Sequence, residues 1–266
     1  MIRTSLCYST LGVLLLNSSY VLADGLTDLK SVLQTLNGDT PISATVESSF
    51  TEKRGKKRKS LKTKTGLIQV ALNDNHEGLE LIFSDEIIDK LDNESNLKQQ
   101  NEDANTPTLN AVGGVGVAEM KRMLSAAPSL LRFIDKAIYL NEETVSYHDK
   151  NMRQLNFSLP LHAIIENKEV HEYVDDFSGD FHVIINENGV PLESRIKFEG
   201  SGSAYIFFTM DISQSDTSTY QLFDDRLVKV KKVFEREQRS TWGKTSAEGY
   251  KVLIINPPHP SLAATN

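Results

Sequence analysis

Cysteine is nearly absent from this chain, and its absence limits how the fold can be held together. The one cysteine, Cys7, lies in the N-terminal segment that we expect to be removed. Without disulfides the remaining chain must be stabilised by burial of apolar side chains alone. Of the 266 residues, 243 follow residue 23, and chains of this length bury roughly 70–75% of the surface that unfolding exposes. The length and composition therefore exclude a small disulfide-stapled extracellular domain.

The sequence also lacks the excess of positive charge that is typical of nucleic-acid-binding proteins. Its 29 basic and 36 acidic residues give a net charge of −7, and loss of Arg3 with the N-terminal segment leaves 28 against 36, or −8. Beyond the N-terminus, no apolar run approaches the roughly 20 residues of a membrane-spanning helix. We therefore expect a soluble mature protein that does not bind nucleic acid.

The first 23 residues have the three parts of a secretory signal peptide. Arg3 supplies a positive start, residues 7–16 are mostly apolar, and Val21-Leu22-Ala23 is a small-residue cleavage site. An uncleaved anchor is the alternative, but the apolar core is shorter than a membrane span requires. We predict cleavage after Ala23 and a location in the periplasm of a Gram-negative envelope. Residues 24–256 are expected to form one domain, followed by a flexible tail at 257–266.

Residues 179–256 predict an antiparallel meander. Along residues 190–199, apolar and charged side chains alternate, which places them on opposite faces of a strand. Asn188-Gly189 is a hairpin signal, because both residues accept the positive φ of a tight primed turn. The predicted strands are 181–186, 190–199, 204–213, 219–223, 227–237 and 250–256, with a second turn at 200–203.

The N-terminal half predicts more of the same sheet together with helices that cover it. Apolar spacing over residues 26–36 predicts an amphipathic helix, and Ser84 is the expected N-cap of a helix at 84–91. Residues 92–108 are almost devoid of apolar side chains, which predicts a loop or a disordered insertion. The other predicted elements are strands 42–51, 65–72, 79–83, 137–140, 144–147 and 152–159, turns 73–75 and 148–151, and helices 116–126 and 128–136.

These elements predict a mainly β (α+β) fold: a single curved antiparallel sheet or unclosed barrel with a few covering helices, and a helical and polar insertion at 85–136. On this order of elements the chain resembles the periplasmic lipoprotein carriers of the LolA type. The resemblance is carried by Asp28-Leu29-Lys30, by Ala44 and Phe50, by Gly-Leu-Ile-Gln-Val at 66–70 and by Ser-Thr-Tyr-Gln-Leu at 218–222. It implies helices over the concave face of the sheet and an apolar cavity that accommodates acyl chains.

The segment Tyr-Ile-Phe-Phe-Thr-Met at 205–210 is apolar on both faces of a predicted strand. Both sides of such a strand must be covered, either by the core and helices or by a bound ligand. An ordinary central strand is the alternative to a ligand site, and simple core packing is the alternative for the methionines, whose flexible side chains suit varied apolar cargo. The candidate ligand-binding residues are Tyr205, Phe207, Met210, Met120 and Leu124.

A basic cluster is the most unusual local feature, because eight of the twelve residues at 53–64 are Lys or Arg in an acidic chain. Such a cluster attracts anionic headgroups, which implies peripheral contact with a membrane, or an acidic envelope protein. The alternative is a solvated hairpin tip that discourages association between sheet edges. The candidate residues for an anionic partner are Lys53, Arg54, Lys56, Lys57, Arg58 and Lys59.

Catalytic signatures are missing. The six histidines show no metal-ligand spacing, Gly-Ser-Gly-Ser at 200–203 is not a nucleophile elbow, and residues 113–116 lack the preceding strand of a dinucleotide site. We therefore predict no enzymatic activity, no metal and no cofactor, and a hydrolase is the third alternative. The leading expectation is a periplasmic carrier that holds an apolar or lipid-type ligand, or a lipoprotein, in the concavity of the sheet. The alternative is a non-enzymatic envelope interaction or assembly factor that uses the basic hairpin.

Overall fold

Ten antiparallel strands form one open sheet in the computed structural model, which describes residues 24–56, 61–204 and 208–257. The predicted signal peptide and most of the predicted tail lie outside these residues. The strands are β1 (Ile42–Gly55), β2 (Lys62–Asn75), β3 (Gly78–Ile82), β4 (Ile138–Tyr147), β5 (Lys150–Ser158), β6 (Val174–Ile185), β7 (Pro191–Ala204), β8 (Phe208–Phe223), β9 (Arg226–Ser240) and β10 (Gly243–Ile255). Their order is β3-β2-β1-β10-β9-β8-β7-β6-β5-β4, so β1 and β10 pair near the two ends of the chain. The predicted fold class is confirmed.

Seven α-helices occur in the described ranges. They are α1 (Gly25–Thr35), α2 (Asp85–Gln100), α3 (Pro107–Val112), α4 (Val117–Leu124), α5 (Ala127–Lys136), α6 (Leu161–Ile164) and α7 (Lys168–His171). Leu29 and Leu33 are the buried stripe of α1, as their spacing predicts. Within the described ranges, no helix is both long enough and apolar enough to cross a membrane.

One face of the sheet is covered by helices over two apolar clusters. Alternation along β1 directs Ile42, Ala44 and Val46 to this face, where all three are buried. The first cluster joins α1 and α5 to β5 and β6, with Phe157 and Phe181 at its centre. The second joins α3 and α4 to β1, β2, β9 and β10. The opposite face of the sheet is open in its central strands.

The prediction of a loop or disorder at 92–108 is wrong, because α2 continues to Gln100 and α3 begins at Pro107. No residue of α2 is buried, so an apolar stripe could not have revealed it. Local interactions stabilise this helix instead: Ser84 caps it as predicted, and Lys90 pairs with Glu86 one turn away.

Several predicted turns are also wrong, because the strands run further than their apolar patterns. Residues 73–75 belong to β2 and residues 200–203 belong to β7. Residues 214–218, which separate two predicted strands, belong to a continuous β8. The last two segments consist of glycine and polar residues, so neither face of their strands is apolar. Backbone pairing continues there without an apolar face to signal it.

The hairpin at Asn188-Gly189 is confirmed, but its turn type differs from the prediction. Gly189 has a positive φ of 78°, whereas the φ of Asn188 is not positive. Its N–H donates to the Asn186 carbonyl oxygen at 3.1 Å, so the loop has three residues and Gly189 takes the left-handed position. The two-residue turn with positive φ at both positions occurs at His148 and Asp149, with φ of 50° and 61°.

Candidate ligand-binding trough and hairpin edge

The structure does not bring the predicted ligand residues together. Met120 and Leu124 are fully buried in the second core cluster, where they pack with Val228 of β9. Met210 lies in β8 and pairs with Ser240 at the far end of β9. Positions 228 and 240 are separated by roughly 40 Å along an extended strand. Met210 therefore belongs to a different region from the two α4 residues.

The doubly apolar segment is not one central strand. Ala204, the last residue of β7, pairs with Phe208, the first residue of β8. The predicted strand 204–213 is therefore wrong at its start, because its residues divide between two strands of a hairpin. Tyr205 and Phe207 lie outside the described residues.

A different apolar surface lies on the open face of the sheet. Three of its side chains are strongly exposed for their type: Leu67 at 53%, Ile82 at 51% and Ile254 at 62%. Strand register places them in neighbouring rows that run across β3, β2, β1, β10 and β9. The rows are Ile82, Ala71, Thr45 and Ile254; then Gln69, Glu47, Val252 and Lys231; then Leu67, Ser49, Tyr250 and Val233.

Two cavities occupy these rows and merge into one open-face trough. The first has a volume of about 660 Å³ and is lined by Val233, Tyr250 and other residues of β9 and β10. The second has a volume of about 630 Å³ and extends across β2 to Ile87 of α2. Both are lined by Thr45, Glu47 and Gln69, which makes the trough continuous across the sheet.

Apolar and polar side chains are mixed in the trough, because twelve of its 23 lining residues are polar or charged and five of these are glutamates. The Tyr250 hydroxyl donates to the Glu47 carboxylate at 2.7 Å, and this hydrogen bond raises the pKa of Tyr250. Lys231 lies exposed at the margin and makes no ion pair with any described residue. Apolar side chains beside polar groups that can form hydrogen bonds suit a site for an amphiphilic small molecule.

The predicted basic patch is only partly described. Lys53, Arg54 and Lys56 are exposed at the end of β1, whereas Lys57, Arg58 and Lys59 lie outside the described residues. The register Gly55 to Lys244 places this end beside the turn between β9 and β10.

That turn carries Trp242, a functional candidate that the sequence analysis missed. Trp242 is 68% exposed, and its ring centroid lies 4.8 Å from that of Phe208. A cavity of about 400 Å³ is lined by both rings together with Arg54, Lys56 and Lys244. The available signal was a lone tryptophan between two predicted strands, at a position where a turn was needed.

A cationic cluster lies on the helix-covered face, between α4 and β8–β10. Glu119 accepts from Arg122 at 2.9 Å and from Lys251 at 3.2 Å, and Lys232 pairs with Asp216 at 3.4 Å. Burial alone would raise the pKa of Glu119, but the surrounding cations outweigh it and lower this pKa to about 2.

Lys229, in the same cluster, is half-buried and makes no ion pair with any residue in the described part of the chain. Burial, with a smaller contribution from the charge of Lys232, lowers the pKa of Lys229 to about 8. Its ammonium lies 6.0 Å from the centroid of the buried Tyr220 ring. This cation is therefore held in an environment that disfavours its charge.

Metal-binding clusters are not found in the part of the chain that the structure describes, where no three His, Cys, Asp or Glu side chains come together. Comparisons with protein-family models, curated proteins and solved structures find no match for this chain. The open-face trough and the surface around Trp242 are the two candidate binding sites.

Proposed function

We propose that this protein is a binding or carrier protein of the periplasm that holds an apolar or lipid-type ligand, or the lipid part of a lipoprotein, in the open-face trough. The observation that supports the proposal is that the exposed side chains of Leu67, Ile82 and Ile254 line one trough together with the half-buried Val252. Exposed apolar side chains that line a common trough mark a binding site more often than scattered single residues do.

The proposal moves the ligand from the helix-covered face to the open face. The side chains that were expected to contact it beneath the helices, Met120 and Leu124, are fully occupied in packing the core. On the open face, Leu67, Ile82 and Ile254 each keep about half of their surface in contact with solvent. Covering the remainder of each side chain contributes about 1 kcal/mol, since full burial is worth about 1.5–3 kcal/mol.

The amphiphilic character of the trough favours a molecule with an acyl chain and a polar head. The apolar side chains of the two outer rows receive the chain, while Lys231 and the Glu47–Tyr250 pair lie where a polar head can be hydrogen-bonded. The expected signal peptide and the resemblance to LolA-type carriers support a lipid cargo in the envelope. Both the signal peptide and the resemblance are independent of the shape of the trough.

Native mass spectrometry of the processed protein, purified after export, tests the proposal directly. We expect a bound mass that organic extraction removes, and titration of the stripped protein with a fluorescent fatty-acid probe should then saturate at one site. Ile254→Gln is expected to weaken probe binding about tenfold, because it places an amide on the apolar floor.

A matched control is Ile138→Gln, because Ile138 is 57% exposed on the same face but lies in the edge strand β4, far from the trough. This variant should bind the probe like the unchanged protein. A protein that is empty after export and does not bind the probe, or equal losses in both variants, would refute the proposal.

The alternative function is an envelope interaction factor that binds an acidic partner protein through the basic hairpin. The observation in its favour is that Lys53, Arg54 and Lys56 are exposed and make no ion pair among the described residues. Reversing charges in this hairpin should abolish recovery of such a partner and leave ligand content unchanged. If the open-face trough carries the function, ligand content depends on Ile254 and is insensitive to those reversals.

A further inference from the structure

The described ends of β1, β7, β8, β9 and β10 lie side by side at one end of the sheet. The pairs that place them there are Gly55 with Lys244, Ser240 with Gly243, and Ala204 with Phe208. We call this surface the hairpin edge and define it by five described residues, which are Arg54, Lys56, Phe208, Trp242 and Lys244.

The aromatic pair of the hairpin edge is held in place although it has no core behind it. The Thr209 N–H donates to Thr241 Oγ1 at 3.0 Å, and the Thr241 N–H donates to the Thr209 carbonyl oxygen at 3.1 Å. These bonds fix the turn that carries Trp242 against the start of β8. The buried part of β9 ends near Val228, roughly 40 Å away, so packing against the core does not explain the contact between Phe208 and Trp242.

The charge of the hairpin edge is opposite to that of the whole chain. The protein has a net charge of −7, yet Arg54, Lys56 and Lys244 surround the aromatic pair. Lys244 pairs with Glu237 at 2.7 Å. Arg54 and Lys56 make no ion pair within the described ranges, so their charges face solvent uncompensated.

We propose that the hairpin edge docks on the surface of an anionic phospholipid bilayer. Tryptophan favours the membrane interface, where its apolar ring enters the headgroup layer and its N–H stays hydrogen-bonded. The neighbouring cations contact lipid phosphates, and each one strengthens binding about fivefold. A projecting edge of hairpins, unlike a groove, fits a broad flat surface.

Docking at this edge goes beyond the proposed ligand binding, because the trough and the hairpin edge are separate surfaces. Carrier activity can fail while docking persists, and docking can fail while ligand content is normal. The experiments therefore report on the two proposals separately.

Trp242 is the only tryptophan of the chain, so its fluorescence reports on the hairpin edge alone. The processed protein is mixed with vesicles of phosphatidylglycerol and phosphatidylcholine, or of phosphatidylcholine alone. We expect a blue shift, protection from acrylamide and quenching by brominated lipid with the anionic vesicles only. High salt should reverse all three effects, because it screens the attraction.

Variants then separate the aromatic and electrostatic contributions by vesicle co-sedimentation. Arg54→Gln combined with Lys56→Gln should weaken binding about 25-fold, and Trp242→Ala should also release the protein from vesicles. The matched control combines Arg132→Gln with Lys150→Gln, which removes the same charge from exposed positions outside both the hairpin edge and the trough. The control should change binding less than about twofold.

Two results would overturn the proposal. One is a Trp242 emission that stays unchanged, or changes equally, with anionic and zwitterionic vesicles. The other is a blue shift with soluble polyglutamate and none with vesicles, which assigns the edge to an acidic protein. If a variant fails to fold by circular dichroism, quenching of the unchanged protein by brominated lipid decides the question alone.

Discussion

Replacing Lys229 by methionine should make the protein more stable at neutral pH. Lys229 is half-buried in β9 on the helix-covered face, where its ammonium lies 6.0 Å from the Tyr220 ring centroid. Methionine keeps the length and apolar stem of the side chain and removes only the charge. The substitution therefore tests whether this position holds a cation at a cost in stability.

The magnitude follows from the pKa of the lysine. Burial lowers this pKa from 10.5 to about 8, and each pKa unit corresponds to about 1.4 kcal/mol, which gives a cost of about 3 kcal/mol for the charged form. Attraction of the ammonium to the Tyr220 ring opposes this cost by about 0.5–1 kcal/mol. We therefore expect Lys229→Met to raise the free energy of unfolding by about 2 kcal/mol at neutral pH.

The effect has a definite sign with pH. Between about 8 and 10.5 the unfolded chain holds a proton on Lys229 that the folded protein has released. Stability of the unchanged protein therefore rises through this window, since the unfolded state binds more protons there. The advantage of the methionine variant should be complete below pH 8 and should vanish as the pH approaches 10.5.

Glu119 and Asp216 are the acids that attract Lys229, and Lys232 and Arg122 are the cations that repel it. The pKa of Glu119 is lowered to about 2, so the charge of this carboxylate stays constant across the window. Titration of Lys229 itself is therefore the expected source of the pH dependence.

Urea unfolding followed by circular dichroism, at steps of about one pH unit, measures the difference between the two proteins. Lys231→Met is the matched control, because Lys231 lies in the same strand but is exposed on the opposite face. It should change stability by less than about 0.5 kcal/mol. A methionine variant that is less stable than the unchanged protein, or a gain that does not depend on pH, would refute the reasoning.

The strands that sequence reasoning located correctly are those with an apolar face against the core. Residues 42–51 and 65–72 alternate because Val46 and Ile68 must be buried beneath α3 and α4 while their neighbours face solvent. The pattern ends where the core ends, although the ladder of backbone hydrogen bonds continues. That is why β7 reaches Ala204 through a Gly-Ser segment that resembles a turn.

The open-face trough could not be predicted, because it depends on which strands are neighbours. Ile82, Ala71, Thr45 and Ile254 come from four strands, and none of them stands out in the pattern of its own strand. They become a surface only when β10 pairs with β1, at a sequence separation of about 200 residues. The apolar segment at 205–210 was favoured instead because its residues are adjacent in sequence.

Two further predictions concern contacts on which the fold depends. Arg226→Met should lower the free energy of unfolding by about 2–3 kcal/mol, measured by urea unfolding, because the guanidinium pairs with the buried carboxylate of Asp74 at 2.8 Å and its loss leaves that charge paired only with the half-exposed Lys121 at 3.0 Å among the described residues. Adding Asp74→Asn should recover part of the loss. Gly189→Ala should cost about 1–3 kcal/mol in the same assay, whereas Asn188→Ala should change it by less than about 0.5 kcal/mol. Gly189 has a φ of 78°, and a Cβ there would lie 2.8 Å from the Asp28 backbone of α1. Equal losses of stability in the two variants would show that glycine is not required by the close approach of this turn to α1.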